Sequence, residues 1–168
     1  DPTLINHLLN LIVKFLKIHI KNQVEAGANV IQIFDSWAGL LDNKLEDFIY
    51  LPTSNIVEYT KKLGASVICF PRGIKDYKKF CKEVKPDMIN IDYEISPKKI
   101  IDEIDLPVQG GLDPKILLTE KENVEKEVKK YLLIFKNHPY VFNLGHGILP
   151  ETKIDLVNVL INTVRNFK

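Results

Sequence analysis

The stretch VFNLGHGILP (141–150) sets one histidine, His146, between Gly145 and Gly147 at the end of an apolar run. Bare backbone on both sides of an imidazole suits a group presented at the mouth of a pocket. A histidine held as part of the packing is the other reading of the same spacing. QIFDSWAG (32–39) places Asp35 and Ser36 where a second apolar run ends. A serine hydroxyl donates and accepts, which suits a ligand carboxylate or amide. Either residue serves equally well as the cap of the turn that follows. No histidine partners Ser36 in the sequence and the stretch is not a GxSxG elbow, so a nucleophilic serine is not indicated. CFPRG (69–73) offers Arg72, whose guanidinium would hold an anionic substrate or stand in solvent. QGGLDP (109–114) joins paired glycines to Asp113-Pro114, a tight loop and a helix N-cap, with backbone that a ligand could also approach closely.

Other chemistries find little support. His7, His19 and His138 have no metal-ligand spacing, and Cys69 and Cys81 form neither a CxxC pair nor a zinc pattern. No Gly-rich loop matches a dinucleotide or P-loop fingerprint. The net charge is +1, and the densest charged run, EKENVEKEVKK, mixes both signs as a solvated helix face does. Neither nucleic acid nor an acidic membrane surface is implied. The most apolar stretch, LLNLIVKFLKIHIKN, is interrupted by Lys14, Lys17 and His19, and no run approaches the ~18 residues of a membrane span. Two unpatterned cysteines make a reduced, cytoplasmic setting the default. The chain opens DPTLINHLLN, without methionine, which fits processing or a fragment.

These groups need elements to position them. Asp1-Pro2 is a helix start, and Leu4, Leu8, Ile12, Phe15 and Leu16 recur at helical spacing, which predicts a helix over roughly 3–26 closed by Gly27. NVIQIFD predicts a buried strand. A helical region follows over roughly 43–63, broken near Pro52 and closed by Gly64. SVICF, MINID, LPVQGG and YVFNLG predict four more strands. Helices are predicted near 75–84, over SPKKIIDEI with Ser96 as N-cap, through about 120–136, and over TKIDLVNVLINTVRNF. Each strand is apolar throughout, as strands buried on both faces of a parallel sheet are. An open doubly wound sheet and a (β/α)8 barrel both fit this order. Polar, Gly-rich residues follow all five strands (DSWAG, PRG, DYE, GGLDP, GHG), which favours the barrel, whose strand ends share one mouth.

Taken together, GANVIQIFDSWAGLL, VQGGLDP and FNLGHGILP resemble the signatures of the uroporphyrinogen decarboxylase family, with VICFPRG and MINIDY where that family has intervening strands. The resemblance implies an α/β fold: the C-terminal half of a (β/α)8 TIM barrel, about five parallel strands with crossover helices. Residues 1–168 would be strands four to eight, with the N-terminal half absent. It implies a carboxy-lyase that removes CO₂ from the acetate side chains of uroporphyrinogen III to give coproporphyrinogen III, in haem biosynthesis. The partner would be a small tetrapyrrole, not nucleic acid or membrane, with no metal and no organic cofactor. The complete family member would be a cytoplasmic homodimer. Ser36 matches the family's substrate-binding serine and His146 its substrate-binding histidine, and both are expected to face one cavity. Asp35, Arg72, Gly145 and Gly147 are further candidates. Proton-transferring residues are expected in the absent half, with the arginine loop, the pyrrole-binding aspartate and the substrate-contacting tyrosine. By itself the chain is therefore expected to be inactive and self-associating. It departs from the family at Gly111, where many members have Asn, and at Pro71-Arg72, where many have Ala-Lys. Two alternatives stand beside this reading. One is a corrinoid methyltransferase of the same superfamily, whose zinc-binding His-x-Cys has Val67 at the histidine position here. The other is a non-catalytic half-barrel.

Overall fold

Asp1 caps the first helix: its carboxylate accepts from the Thr3 N–H at 2.9 Å, and α1 runs Pro2–Glu25 in a computed structural model that describes residues 1–41 and 43–167. Gly27 follows with φ +105°, the left-handed conformation that ends a helix without a Cβ clash. Val13, Ile20 and Val24 of α1 pack with Ile31 and Ile33 of strand β1 (Val30–Asp35) and with Ile56 of α2 (Leu51–Lys62). Lys17 holds its ammonium 5.5 Å from the Tyr59 ring centroid on α2.

Pro52 does not break the helical region as expected. A π turn (Glu46–Tyr50) leads directly into α2, and the Leu51 N–H donates to Glu46 O, five residues back. Proline has no N–H to give. The wider turn leaves it in the first turn of α2, where no donor is missed.

Strand β2 (Ser66–Pro71) lies parallel to β1 over six pairs, from Val30↔Ser66 to Asp35↔Pro71. Helix α3 (Tyr77–Val84) connects it to β3 (Met88–Ile91), which is parallel to β2 through Ile68↔Met88 and Cys69↔Ile89. Asp87 fixes the start of β3: its carboxylate accepts from Val67 N at 2.8 Å and pairs with Lys61 at 2.8 Å. Helix α4 (Pro97–Glu103), strand β4 (Val108–Gly110), helix α5 (Lys121–Ile134), strand β5 (Tyr140–Val141) and helix α6 (Ile154–Arg165) complete the chain. β4 and β5 are parallel through Val108↔Tyr140 and Gln109↔Val141. The order in the sheet is the order in the chain, without the reversal that defines a doubly wound sheet. Five parallel strands with flanking helices make this an α/β fold.

The chain forms two compact units, Asp1–Ile89 and Asn90–Lys168. In the first, β2 is the buried strand, with Val67 and Cys69 closed off from solvent. β1 is not buried on both faces as its apolar sequence predicts: Val30 and Phe34 are exposed. In the second, Ile91, Val108, Leu112, Leu117, Val124 and Val128 are buried. The fifth strand is shorter than predicted. Only Tyr140 and Val141 pair, Val141 is exposed, and a single bridge, Leu112↔Leu144, continues the contact. The aromatic residues there serve ring packing instead: Tyr140 stacks on Phe135 at 4.0 Å and meets Phe142 edge to face at 6.1 Å.

Contrary to the sequence reading, Thr3–Glu25 is one helix long and apolar enough to cross a bilayer by length and composition. Core helices of soluble proteins pass the same test, and one face of α1 packs on β1 and α2, so length and composition do not place it in a membrane.

Candidate strand-end site

In the first unit, the chain leaves β1 through Asp35-Ser36-Trp37 and enters a 3₁₀ turn (Ala38–Leu40). This turn is laced to the end of β2. Arg72 N donates to Asp35 O at 3.0 Å, and Gly39 N donates to Arg72 O at 2.9 Å. A Cβ on Gly39 would lie 2.2 Å from Gly73 O, so only glycine allows the two loops to close. The Asp35 carboxylate accepts from Trp37 N at 3.4 Å, the capping role open to it from sequence. Burial holds its carboxyl above the ordinary value, against the lowering effect of the Trp37 and Ala38 N–H groups. The structure thus joins Asp35, Ser36 and Arg72 in one backbone-bonded pair of loops. Ser36 and Arg72 are half-buried, while Trp37 and Leu40 are exposed beside them.

His146 stands in the second unit, half-buried, in a turn held by its neighbours. Gly145 N donates to Leu112 O at 2.7 Å. A Cβ at Gly145 would lie 2.4 Å from Tyr93 N, whereas one at Gly147 would meet nothing within 4 Å. Neither has a positive φ. The two glycines therefore do different things. Gly145 lets the turn rest on the Asp92-Tyr93 backbone, and Gly147 borders open space.

Below this turn, Gly110 and Gly111 both take positive φ, +86° and +97°. Tyr140 donates its hydroxyl to Gly110 O and Tyr131 donates to Gly111 O, each at 2.7 Å. Burial raises both phenols, Tyr131 to about 12, so they stay protonated donors. Asp113 caps the next turn by accepting from Lys115 N at 2.9 Å, as QGGLDP predicted. A Cβ at Gly111 would lie 3.0 Å from Ile91 Cδ1. Gly111, the departure noted from sequence, thus permits close packing on β3.

Sequence reasoning passed over a buried polar group in this unit. Gln109 Nε2 donates to Asn90 Oδ1 at 2.9 Å, and buried Asp92 accepts from Glu94 N at 2.9 Å. The signal was polar residues at alternate positions of MINID and within VQG, inside strands read as apolar throughout. Cys69 and Cys81 are free thiols. Burial raises both, Cys81 to about 12, so neither is poised as a thiolate nucleophile. Among the described residues, no three His, Cys, Asp or Glu side chains gather as metal ligands.

Comparison with known proteins points to one family. The sequence model of the uroporphyrinogen decarboxylase (URO-D) family matches residues 1–167. A relative from Rickettsia bellii (strain RML369-C), named uroporphyrinogen decarboxylase, is 41% identical over 173 residues, spanning 100% of this chain and 51% of its own length. Proteins of the same name from Orientia tsutsugamushi (strain Ikeda) and Wolbachia pipientis wMel are 38% and 34% identical, over 95% and 99% of this chain and 48% and 50% of their own. The chain thus spans about half the length of the curated relatives it matches.

Proposed function

The chain belongs to the uroporphyrinogen decarboxylase family, and from that premise we propose that it supplies part of the substrate-binding side of a uroporphyrinogen decarboxylase, with Ser36 and His146 as its two substrate contacts. The observation that carries this reading is the family match over residues 1–167. The way Gly145 seats the His146 turn on the Asp92-Tyr93 backbone adds support.

In the proposed reaction, a proton added to a pyrrole ring carbon makes that ring an electron sink. The bond between the acetate methylene and its carboxylate then breaks, its electron pair moves into the ring system, and CO₂ leaves. A second proton converts the methylene to methyl, and the ring carbon loses the proton it gained. The substrate carries its own sink, so the protein's part is to bind, to place charge and to manage protons. Ser36 would donate to a substrate carboxylate or neighbouring polar group, and His146 likewise. Arg72 is half-buried at the next strand end, and its fixed charge would favour the anionic side chains of a porphyrinogen. The groups that transfer protons would lie in the half of the relatives that this chain does not span. The complete enzyme would be a cytoplasmic homodimer.

The test is kinetic, in a complete protein made by joining this chain to the remaining half of the Rickettsia bellii relative. His146→Asn and Ser36→Ala are expected to weaken substrate binding by about 1–3 kcal/mol each, with thermal stability unchanged. Kinetics equal to the unsubstituted protein for both variants would remove them from the site.

A further inference from the structure

We propose that Tyr131 and Tyr140 are positioning residues for His146, their two phenols holding the break in the sheet from which the His146 turn hangs. The part His146 plays toward substrate rests on the family reading; the hold on its turn does not.

The ladder between β4 and β5 is interrupted as well as short. It pairs Val108↔Tyr140 and Gln109↔Val141, stops, and returns in the same register at Leu112↔Leu144. On the β4 side the interruption is Gly110-Gly111, with φ +86° and +97°, angles at which a strand does not continue. Glycine takes positive and negative φ about equally readily. Two glycines in a row therefore have no preference of their own for this shape, and something outside them must hold it.

Two phenols do so. Tyr140 pairs its backbone with Val108 and donates its hydroxyl two residues further along β4, to Gly110 O at 2.7 Å. Tyr131 donates from α5 to Gly111 O, also at 2.7 Å. Both carbonyls at the break are thereby satisfied, one from the neighbouring strand and one from the helix beside it. Buried Phe135 braces both rings: its centroid lies 4.0 Å from that of Tyr140, nearly parallel, and 6.5 Å from that of Tyr131.

The shape of the break reaches the histidine through backbone. A Cβ on Gly110 would lie 3.1 Å from Leu144 O, so bare backbone there sets how closely Leu144 approaches. Leu112, directly after the glycines, accepts from Gly145 N at 2.7 Å. Gly145 is buried, and His146 follows it. Without the phenols the glycines are free to change φ, Leu112 O shifts, and the hydrogen bond that seats Gly145 is lost. Tyr131 and Tyr140 thus act on His146 rather than on substrate.

The first test needs no turnover. In this chain, amide exchange at Gly145 is expected to speed up about tenfold when Tyr131→Phe and Tyr140→Phe are combined. Each change alone should speed it by a smaller factor, which serves as the readout if the double variant does not fold. Val128→Ala opens a cavity in the core beside α5 and touches neither carbonyl, so it should speed Gly145 only in step with the rest of the second unit. Exchange at Gly145 that is unchanged by the tyrosine variants, or that rises no more than in Val128→Ala, would overturn the proposal. The second test is kinetic, in this chain joined to the remaining half of the Rickettsia bellii relative. The double variant should raise KM about fivefold with kcat little changed, and should add nothing once His146→Asn is present, because both changes act on one contact. An undiminished rise in KM in the His146→Asn background would overturn the proposal. If His146→Asn by itself leaves KM unchanged, the role of His146 toward substrate fails, and exchange at Gly145 still decides whether the phenols hold its turn.

Discussion

The Ser36 turn and the His146 turn are both seated by a glycine pressed on a neighbouring loop, yet their support differs. The Ser36 turn follows a strand paired over six residues, and two backbone hydrogen bonds tie it to Arg72. The His146 turn follows a strand paired over two residues and depends on one bridge, one hydrogen bond to Leu112 and the contact of Gly145 with Tyr93. A long strand positions a side chain by its ladder. A short one does so through close approach of bare backbone, and a single methyl group disturbs that approach.

The largest effect follows directly. Gly145→Ala, whose Cβ would lie 2.4 Å from Tyr93 N, is expected to cost about 1–3 kcal/mol in urea unfolding, since backbone cannot yield as a side chain can. Gly39→Ala, 2.2 Å from Gly73 O, should cost about the same. Gly147→Ala, with nothing within 4 Å, should stay within about 0.5 kcal/mol of the parent. Equal costs at Gly145 and Gly147 would break the distinction between seating and openness. In the complete protein, Gly145→Ala should also raise KM more than Gly39→Ala does, because the His146 turn has less else to hold it.

A smaller effect is expected from the carbonyl clamp beneath the second turn. Tyr131→Phe and Tyr140→Phe each remove a 2.7 Å hydrogen bond to a glycine carbonyl and should each cost about 0.5–1.5 kcal/mol in thermal melts. Neither variant losing stability would mean that the paired glycines hold their conformation unaided.

The smallest concerns pH in the first turn. Burial raises the Asp35 carboxyl, so the folded state holds the proton more tightly than the unfolded one. Its contribution is fully present below the unfolded value and is lost as pH rises through the folded value. Asp35→Asn keeps an acceptor for Trp37 N and removes the titration. Stability of the parent relative to Asp35→Asn should therefore fall as pH rises across that window. A difference that grows as pH rises would reverse the assignment.

Much of this was legible in the residues. Runs such as VIQIF and SVICF gave strands because β-branched and aromatic residues crowd together there, and Gly27 and Gly64 marked the helix ends they close. What misled was apolarity read as burial. Val141 and Phe142 look like core, but Phe142 meets Tyr140 edge to face and Val141 is exposed. Val30 and Phe34 are apolar yet exposed, which an apolar run does not announce. Pro52 read as a break because a π turn has no sequence pattern that announces it. Asn90 and Gln109 escaped notice because each satisfies the other only when β3 and β4 lie side by side. The roles of Ser36 and His146 came from resemblance, since a serine after a strand and a histidine between glycines each fit a structural duty as well.

The most direct test is CO₂ release from uroporphyrinogen, measured for this chain alone, for the chain with the remaining half of the Rickettsia bellii relative, and for that pair carrying His146→Asn. The account predicts no turnover above background from the chain alone, turnover from the pair, and a marked loss with His146→Asn. Turnover by the chain alone as a monodisperse monomer, or a pair indifferent to His146→Asn, would contradict it.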